Sequence, residues 1–232
     1  ALADFKGTEK ALSFATGYAA AGVVSAVVGK GDMVVVDKLA HACLVDAARL
    51  SGAKLRVFKH KDMGDLGRIL QWADQQDGKT LILTESVFSM DGDCAPLAHL
   101  VELKERHGAW LLVDEAHATG LYGSNRRGMV EESGVGDHVE IQMGTLGKAI
   151  GSAGGYICGS RALIDLILNR ARPFMFSTAP VPAQVAAARA GIELVQSDEG
   201  EERCAKLWGL VSRLSDGLIR SGWKLPAVSG AI

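Results

Sequence analysis

The segment MGTLGKAIGSAGG (143–155) contains one lysine, Lys148, among glycines, alanines and short apolar residues. Glycine-rich segments with a lysine often bind phosphate, but neither common phosphate-binding pattern fits this one. The pattern G-x-x-x-x-G-K-[ST] fails because Gln142 stands where its first glycine belongs and Ala149 follows the lysine. The pattern G-x-G-x-x-G fails because the glycines do not have that spacing. We expect a closed pocket and nearby positive charge to lower the pKa of Lys148, which makes its amine a nucleophile towards carbonyl groups.

Asp114 and His117 follow the apolar run AWLLV with a spacing of three residues. A carboxylate at the end of a buried strand needs a hydrogen bond or an opposite charge. A metal bound by this D-x-x-H pair is the weakest explanation, because no third ligand lies nearby in the sequence. Capping of a helix or turn is the ordinary role of such an aspartate. Pairing with the cationic ring nitrogen of a cofactor is the alternative, and both stay open.

Several further residues are of the types that hold a phosphorylated, aromatic ligand. FATGYAAAG (14–22) predicts a strand end followed by a helix, so the backbone N–H groups of Gly17 and Tyr18 would face an anion. Ser89 and Thr145 offer hydroxyl groups, and His41 opens a helix, either as an ordinary first-turn residue or stacked on a flat ring. An aldehyde cofactor with a phosphate, a flat ring and a basic nitrogen would use all of these residues. Pyridoxal 5′-phosphate (PLP) has these features.

The elements that must position these residues alternate along the chain. Short apolar runs predict strands at 33–37, 55–58, 80–86, 109–117, 141–146 and 154–159, and helical patterns lie near 17–29, 40–50, 62–76, 96–107 and 161–170. Long helices are predicted at 180–196 and 199–222, the second amphipathic. This order predicts an α/β fold with a mostly parallel sheet and helices on both faces. Ligands bind such sheets at the carboxyl ends of the strands, where the residues above are found.

Composition excludes several classes of partner. A net charge of −2 gives no reason to expect nucleic acid or an anionic membrane, and no apolar run is long enough to span a bilayer. The four cysteines are far apart, which argues against a zinc site or a disulfide framework and favours free thiols in the cytoplasm. The chain begins at Ala1 and stops at AVSGAI, so we expect a domain of a longer protein.

Three long motifs carry a resemblance to a known family. TESVFSMDGDCAPL, LLVDEAHATGLYG and GTLGKAIGSAGG, in this order and followed by RPFMFSTAPVPA, resemble the α-oxoamine synthases, a family of fold-type I PLP enzymes. The match covers nearly the whole chain. Within the family, SDEGEERCAKL favours members that condense L-alanine with a pimeloyl thioester. Members that condense glycine with acetyl-CoA share most of the motifs and are the alternative.

The resemblance implies a role for each matched residue. Lys148 corresponds to the lysine that forms a Schiff base with PLP, and Asp114 to the carboxylate beside the pyridinium nitrogen. His117 lies beside the phenolic oxygen, and His41 stacks on the ring. The phosphate is held by a set of four residues, which are Gly17, Tyr18, Ser89 and Thr145. No metal is implied.

The resemblance also implies a reaction and a domain plan. An amino acid and an acyl-CoA, or its acyl-carrier-protein equivalent, condense with loss of carbon dioxide in a homodimer whose active sites lie at the interface. Residues 1–178 form the main part of the PLP-binding large domain. Residues 179–232 are long helices that close it and lead to a C-terminal small domain, most of which is absent, together with the arginine that holds the amino acid's carboxylate. Two non-catalytic alternatives remain, a truncated PLP-binding domain and a scaffold that folds only as half of a dimer.

Overall fold

A computed structural model describes residues 1–225 and contains a sheet of seven strands. The strands, in chain order, are β1 (Lys10–Phe14), β2 (Met33–Asp37), β3 (Lys54–Phe58), β4 (Thr80–Glu85), β5 (Trp110–Asp114), β6 (Ile141–Thr145) and β7 (Gly155–Gly159). Their order across the sheet is β1-β7-β6-β5-β4-β2-β3. The five strands from β6 to β3 are parallel, whereas β7 is antiparallel to both of its neighbours.

Helices cover both faces of the sheet. The first six are α1 (Leu2–Lys6), α2 (Gly17–Ala21), α3 (Val24–Val27), α4 (Ala42–Leu50), α5 (Met63–Ala73) and α6 (Leu97–Arg106). The others are α7 (Met129–Glu132), α8 (Arg161–Arg170), α9 (Arg172–Met175), α10 (Pro182–Val195) and α11 (Asp198–Arg220). Within residues 1–225, no helix has the length and apolar character needed to cross a membrane.

The central strands are apolar because side chains on both faces are buried. In β2, Val34 and Val36 pack into one hydrophobic cluster, which also includes residues of α3, α4 and α8. Val35 points the other way and joins a second cluster with residues of α5 and α6. Strands covered on both faces have no polar face to show in the sequence, which explains their continuous apolar runs.

The predicted fold class is confirmed, and the differences are local. Strand β1 is predicted only as a strand end at FATG, without its extent, because KALSF is short and four of its five residues are only partly buried. The predicted helix at 17–29 is divided into α2 and α3 near Gly22, where a Cβ would lie 2.5 Å from Pro173 Cγ. The second long helix is present as α11, but none of its residues is buried, and Leu210 and Leu214 are 51% and 65% exposed.

Candidate active site

The carboxyl ends of β4, β5 and β6 meet the starts of α2 and α4 around a cavity of about 190 Å³. Seven of the eight site residues predicted from the sequence line this cavity, namely Gly17, Tyr18, His41, Asp114, His117, Thr145 and Lys148. The eighth, Ser89, lies in the turn after β4 and is not among the lining residues. Parallel strands present their carboxyl ends at one edge, and this brings together residues that are more than 100 positions apart.

Lys148 and His117 are in direct contact. Lys148 Nζ lies 2.7 Å from His117 Nε2, in a loop that follows β6. Burial and the neighbouring charges of Lys148 and His41 lower the pKa of His117 to about 4. A neutral imidazole can accept the hydrogen bond at Nε2, so Lys148 is the donor of this pair.

The predicted direction of the Lys148 pKa shift agrees with the structure, but one of its expected causes is wrong. Partial burial lowers the pKa of Lys148, whereas the neighbouring acidic groups Asp114, Glu85 and Cys43 oppose the shift. The expectation of a closed pocket is wrong for this chain, because Lys148 as a whole remains exposed.

Asp114 is 5% exposed at the end of β5. Its Oδ1 accepts a 2.9 Å hydrogen bond from the Ala116 N–H, so the capping role left open by the sequence is present. Burial raises the pKa of Asp114 to about 6, against the opposing effects of that hydrogen bond and of Lys148. A cationic group in the cavity would therefore find a carboxylate that is poorly solvated and strongly attracted to it.

A metal is not favoured at the D-x-x-H pair. Within residues 1–225, the side chains close enough to hold an ion together are those of His60, Asp91 and Asp93. Asp93 is already paired with Lys61, whose Nζ lies 2.6 Å from Asp93 Oδ2. Other residues of metal-binding type line the cavity, but in the described part of the chain none lies close enough to Asp114 and His117 to form a group of three ligands with them.

The start of α2 offers backbone N–H groups to the cavity. The side chain of Thr16 caps the helix by accepting a 3.0 Å hydrogen bond from the Ala19 N–H. The N–H groups of Gly17 and Tyr18 precede the first intrahelical bond and therefore lack an intrahelical acceptor. A Cβ at Gly17 would lie 3.7 Å from Thr145 Cβ, which places the start of α2 next to the end of β6.

The side chains of this anion-binding region are partly engaged elsewhere. The Thr145 hydroxyl donates to the Gly154 carbonyl at 3.0 Å and accepts from the Gly147 N–H at 3.2 Å. The Tyr18 hydroxyl donates to Asp46 Oδ2 at 2.7 Å, and its side chain is 56% exposed. An anion in this region would therefore meet mainly backbone N–H groups, with Thr145 Oγ1 as a local support.

His41 is the N-cap of α4. Its Nδ1 accepts a 3.2 Å hydrogen bond from the Cys43 N–H, which fixes the imidazole at the rim of the cavity. The histidine thus combines the ordinary first-turn role with a position facing a ligand. Both alternatives left open by the sequence are compatible with this arrangement.

Five lining residues were not assigned to the site from the sequence, and these are Cys43, Glu85, Ala116, Met143 and Gly144. Glu85 ends β4 just as Asp114 ends β5, and the two are partners in the parallel register. The same signal that identifies Asp114, an acidic residue directly after a buried apolar strand, is present at Glu85. Glu85 was not assigned because the motifs implied no role for it.

Comparisons with known proteins agree with this arrangement. Residues 1–232 match the protein family described as aminotransferase class I and II. The 8-amino-7-oxononanoate synthase of Geotalea daltonii is 48% identical over 223 residues, which cover 96% of this chain and 57% of that protein. The chain thus spans little more than half the length of this curated relative.

Solved structures show the same fold. A serine palmitoyltransferase from S. paucimobilis, with bound PLP and myriocin, has a TM-score of 0.91 and 32% identity over 96% of this chain and 56% of its own. An 8-amino-7-oxononanoate synthase from Francisella tularensis has a TM-score of 0.84 and 28% identity over 98% of this chain and 65% of its own. The resemblance to the α-oxoamine synthases, drawn from three motifs, is confirmed.

Proposed function

The chain belongs to the aminotransferase class I and II family, and on that premise we propose that it is the PLP-binding large domain of an 8-amino-7-oxononanoate synthase. The observation that carries the proposal is the meeting of Lys148, Asp114 and the first N–H groups of α2 in one cavity. An amine, a buried carboxylate and an anion-binding helix start are the three groups that an aldehyde, a basic ring nitrogen and a phosphate require.

The residues present fit PLP. When bound, PLP supplies an aldehyde carbon for an amine and a conjugated ring that accepts the electron pair left at a substrate's Cα. Asp114 would hold the ring nitrogen in its protonated form, because that carboxyl group is buried and lacks an ion-pair partner in residues 1–225. Gly17, Tyr18 and Thr145 would hold the phosphate, with Ser89 as a further proposed donor. His41 would cover one face of the ring.

Lys148 would have two tasks in the proposed reaction. Its Nζ would hold the aldehyde carbon of PLP, and as a free amine it would take the proton from the substrate's Cα. Partial burial lowers its pKa, which increases the fraction of neutral amine at a given pH. His117 stays neutral at pH 7, with its pKa at about 4, and it orients Nζ by accepting a hydrogen bond from it.

The proposed overall reaction condenses L-alanine with a pimeloyl thioester. The new carbon–carbon bond forms between alanine Cα and the thioester carbonyl, the thiol of CoA or of an acyl carrier protein leaves, and the alanine carboxyl group departs as carbon dioxide. The product is 8-amino-7-oxononanoate, an intermediate of biotin synthesis. The name of the Geotalea daltonii relative supports this substrate choice over glycine with acetyl-CoA.

The wider organisation is proposed on the same basis. Residues 1–178 would form the main part of the large domain, and residues from 179 onward would close it and lead to a small domain. We further propose a cytoplasmic homodimer. Cys43, Cys94, Cys158 and Cys204 are all free thiols, as expected in a reducing compartment.

Absorbance spectroscopy tests the cofactor assignment. The full-length protein with PLP should show a visible band that borohydride removes, and mass spectrometry should then find the reduced adduct on Lys148. Lys148→Ala should lose the band and the adduct. Lys206→Ala is the matched control, because this exposed lysine of α11 lies outside the cavity. An adduct on another lysine, or an unchanged band in Lys148→Ala, would overturn the assignment.

A substrate comparison tests the reaction. The full-length protein should consume L-alanine with pimeloyl-CoA at least about tenfold more efficiently than glycine with acetyl-CoA, which corresponds to about 1.4 kcal/mol of transition-state discrimination. The reverse preference would assign the chain to a glycine-using α-oxoamine synthase. If the protein shows a normal PLP band but condenses neither pair of substrates, it is a PLP-binding protein without this activity.

A further inference from the structure

Glu85, the last residue of β4, has a buried carboxyl group to which the proposed reaction assigns no role. Its side chain lines the cavity and is 2% exposed. Among the described residues, its Oε1 has no hydrogen-bond partner. Buried polar atoms without a partner are rare in native proteins and costly to keep. The unpartnered oxygen of Glu85 therefore points to a role in this cavity.

A second carboxyl group lies beside Glu85. Glu85 and Asp114 are register partners on the parallel strands β4 and β5, and both line the cavity. Over residues 1–225, neither of the two side chains takes part in a salt bridge, and both are at least 95% buried. Two buried carboxyl groups at neighbouring positions cannot both ionise easily, and one of them then keeps a proton.

We propose that Glu85 and Asp114 hold one proton between them, so that the cavity presents a single negative charge to Lys148. Glu85 is then a positioning residue, which acts on Lys148 through the charge of the cavity. We assign the negative charge to Asp114, whose Oδ1 accepts the Ala116 N–H, and the proton to Glu85, whose Oε1 has no partner among the described residues. A proton on Glu85 removes the negative charge from a buried carboxyl group whose Oε1 no described residue stabilises. The inference rests on the proposed function only for the identity of Lys148 as the reacting amine.

Every titratable group on the elements around Glu85 enters this balance. Lys148 follows β6, His117 follows β5, and His41 and Cys43 lie at the start of α4. The positive charge of Lys148 stabilises the ionised form of Glu85 and so lowers the pKa of Glu85. His117 is neutral at pH 7, since its pKa lies at about 4. Cys43 keeps its proton, because burial raises the pKa of its thiol to about 12.

The directions of the two carboxyl pKa shifts agree with the geometry. Burial, followed by the charge of Asp114, raises the pKa of Glu85 to about 7, although hydrogen bonding from the backbone at His41 and Ser89 opposes the shift. Burial also raises the pKa of Asp114, to about 6. Both carboxyl groups therefore keep a proton at a higher pH than a free carboxyl group does, which is the direction that a shared proton requires.

When Glu85 ionises, the cavity gains a second negative charge, and this charge lowers the reactivity of the Lys148 amine. Negative charge on Glu85 raises the pKa of the lysine, and the ammonium form is not a nucleophile. Amine reactivity normally rises about tenfold per pH unit below the pKa of the amine. In the wild-type protein we expect a shallower rise between about pH 6 and pH 8, because Glu85 ionises with a pKa of about 7 and raises the lysine pKa over the same interval.

Trace labelling of lysines measures this effect directly. The full-length protein, freed of cofactor, is labelled with acetic anhydride across the range from about pH 6 to pH 9, and the Lys148 peptide is quantified by mass spectrometry. In Glu85→Gln, the rise should be steeper through neutral pH, and Lys148 should be labelled on the order of tenfold faster than in the wild type at high pH. Exposed Lys206 serves as the internal reference.

Glu140→Gln is the matched control. This glutamate lies just before β6, outside the cavity, where it pairs with Lys104 at 2.6 Å, so the same chemical change occurs far from Lys148. In Glu140→Gln, the labelling rate of Lys148 should depend on pH as it does in the wild type. Parallel profiles for the wild type and Glu85→Gln, or an equal shift in Glu140→Gln, would overturn the proposal.

An infrared measurement covers the case in which Glu85→Gln does not fold. The wild-type protein should show the carbonyl band of a buried, protonated carboxyl group at about pH 6 that disappears by about pH 8. A spectrum without this carbonyl band at about pH 6 would also overturn the proposal. Because neither measurement requires cofactor, a failure of the proposed function would appear separately, as absent PLP adduct or absent condensation with normal titration behaviour.

Discussion

Lys6 and Glu115 form a buried ion pair directly behind the turn that carries Asp114 and His117. Their side chains are 1% and 0% exposed. Lys6 also donates to the Arg127 carbonyl, and Glu115 Oε1 accepts a 2.8 Å hydrogen bond from the Val130 N–H. The pair therefore connects α1 to the segment after β5. Because Glu115 is the neighbour of Asp114 in the chain, this connection also fixes the backbone at the site.

Loss of one partner of this pair should cost more than loss of both. Lys6→Met leaves a buried carboxylate without its cation, and we expect the free energy of unfolding to fall by about 3–5 kcal/mol. The double variant Lys6→Met with Glu115→Gln should recover part of that loss. Urea unfolding of the single and double variants measures both quantities. Additive losses would show that the two charges do not compensate each other.

At the level of single residues, the sequence predicted seven of the residues that line the cavity. Lys148 and Asp114 were predicted because each combines an unusual residue type with an apolar neighbourhood, and a sequence shows both directly. Glu85 was not assigned, although its position after an apolar strand resembles that of Asp114. Its importance depends on lying next to Asp114 across two strands, and strand register is not written in a local pattern.

At the scale of elements, Gly155 determines how closely β7 approaches α2. A Cβ at this position would lie 2.6 Å from Gly17 Cα and 2.6 Å from the Thr16 carbonyl oxygen. Backbone atoms cannot move aside as the end of a side chain can. The absence of a side chain at Gly155 thus allows β7 to hold the start of α2 beside Thr145.

Gly155→Ala should therefore damage stability and cofactor binding together. We expect a loss of about 1–3 kcal/mol from overpacking, and a weaker affinity for PLP because the N–H groups of Gly17 and Tyr18 move. Gly209→Ala is the control, since nothing lies within 4 Å of a Cβ there, and removing a glycine from a helix interior should stabilise it by about 0.5–1 kcal/mol. Thermal unfolding and PLP titration measure the two effects, and an unchanged affinity in a destabilised Gly155→Ala protein would contradict the link.

Two glycines of the segment 143–155 lie where elements approach each other closely. At Gly144, a Cβ would lie 2.4 Å from the Tyr156 hydroxyl, and at Gly154 it would lie 2.8 Å from the Phe14 carbonyl oxygen. These glycines allow elements to pack closely. Composition revealed that close approaches occur, but which elements approach each other depends on the antiparallel strand β7, and nothing in the apolar run GGYICG distinguishes it from a parallel strand.

At the scale of the whole molecule, apolar side chains remain uncovered around the last helices. Phe176, Val181, Leu214 and Trp223 are each more than 60% exposed. Scattered apolar residues are normal on a protein surface, but these belong to one continuous part of the chain. The Geotalea daltonii relative has further length beyond the matched region, since the chain covers 57% of it. We propose that a corresponding additional length in the full protein shields these side chains.

The polypeptide of 232 residues should therefore bind the cofactor but condense the substrates only slowly. Expressed alone, it should form a borohydride-reducible adduct with PLP on Lys148, because the described cavity contains the amine, the carboxylate and the helix start. Its rate of condensing L-alanine with pimeloyl-CoA should be at least about a thousandfold below that of the full-length protein, which corresponds to about 4 kcal/mol of lost transition-state stabilisation. The physical reason is that the open cavity leaves Lys148 exposed to water and offers no assigned cation to the amino acid's carboxylate. Equal rates for the two proteins, measured under the same conditions, would show that this chain already contains every group that the reaction needs.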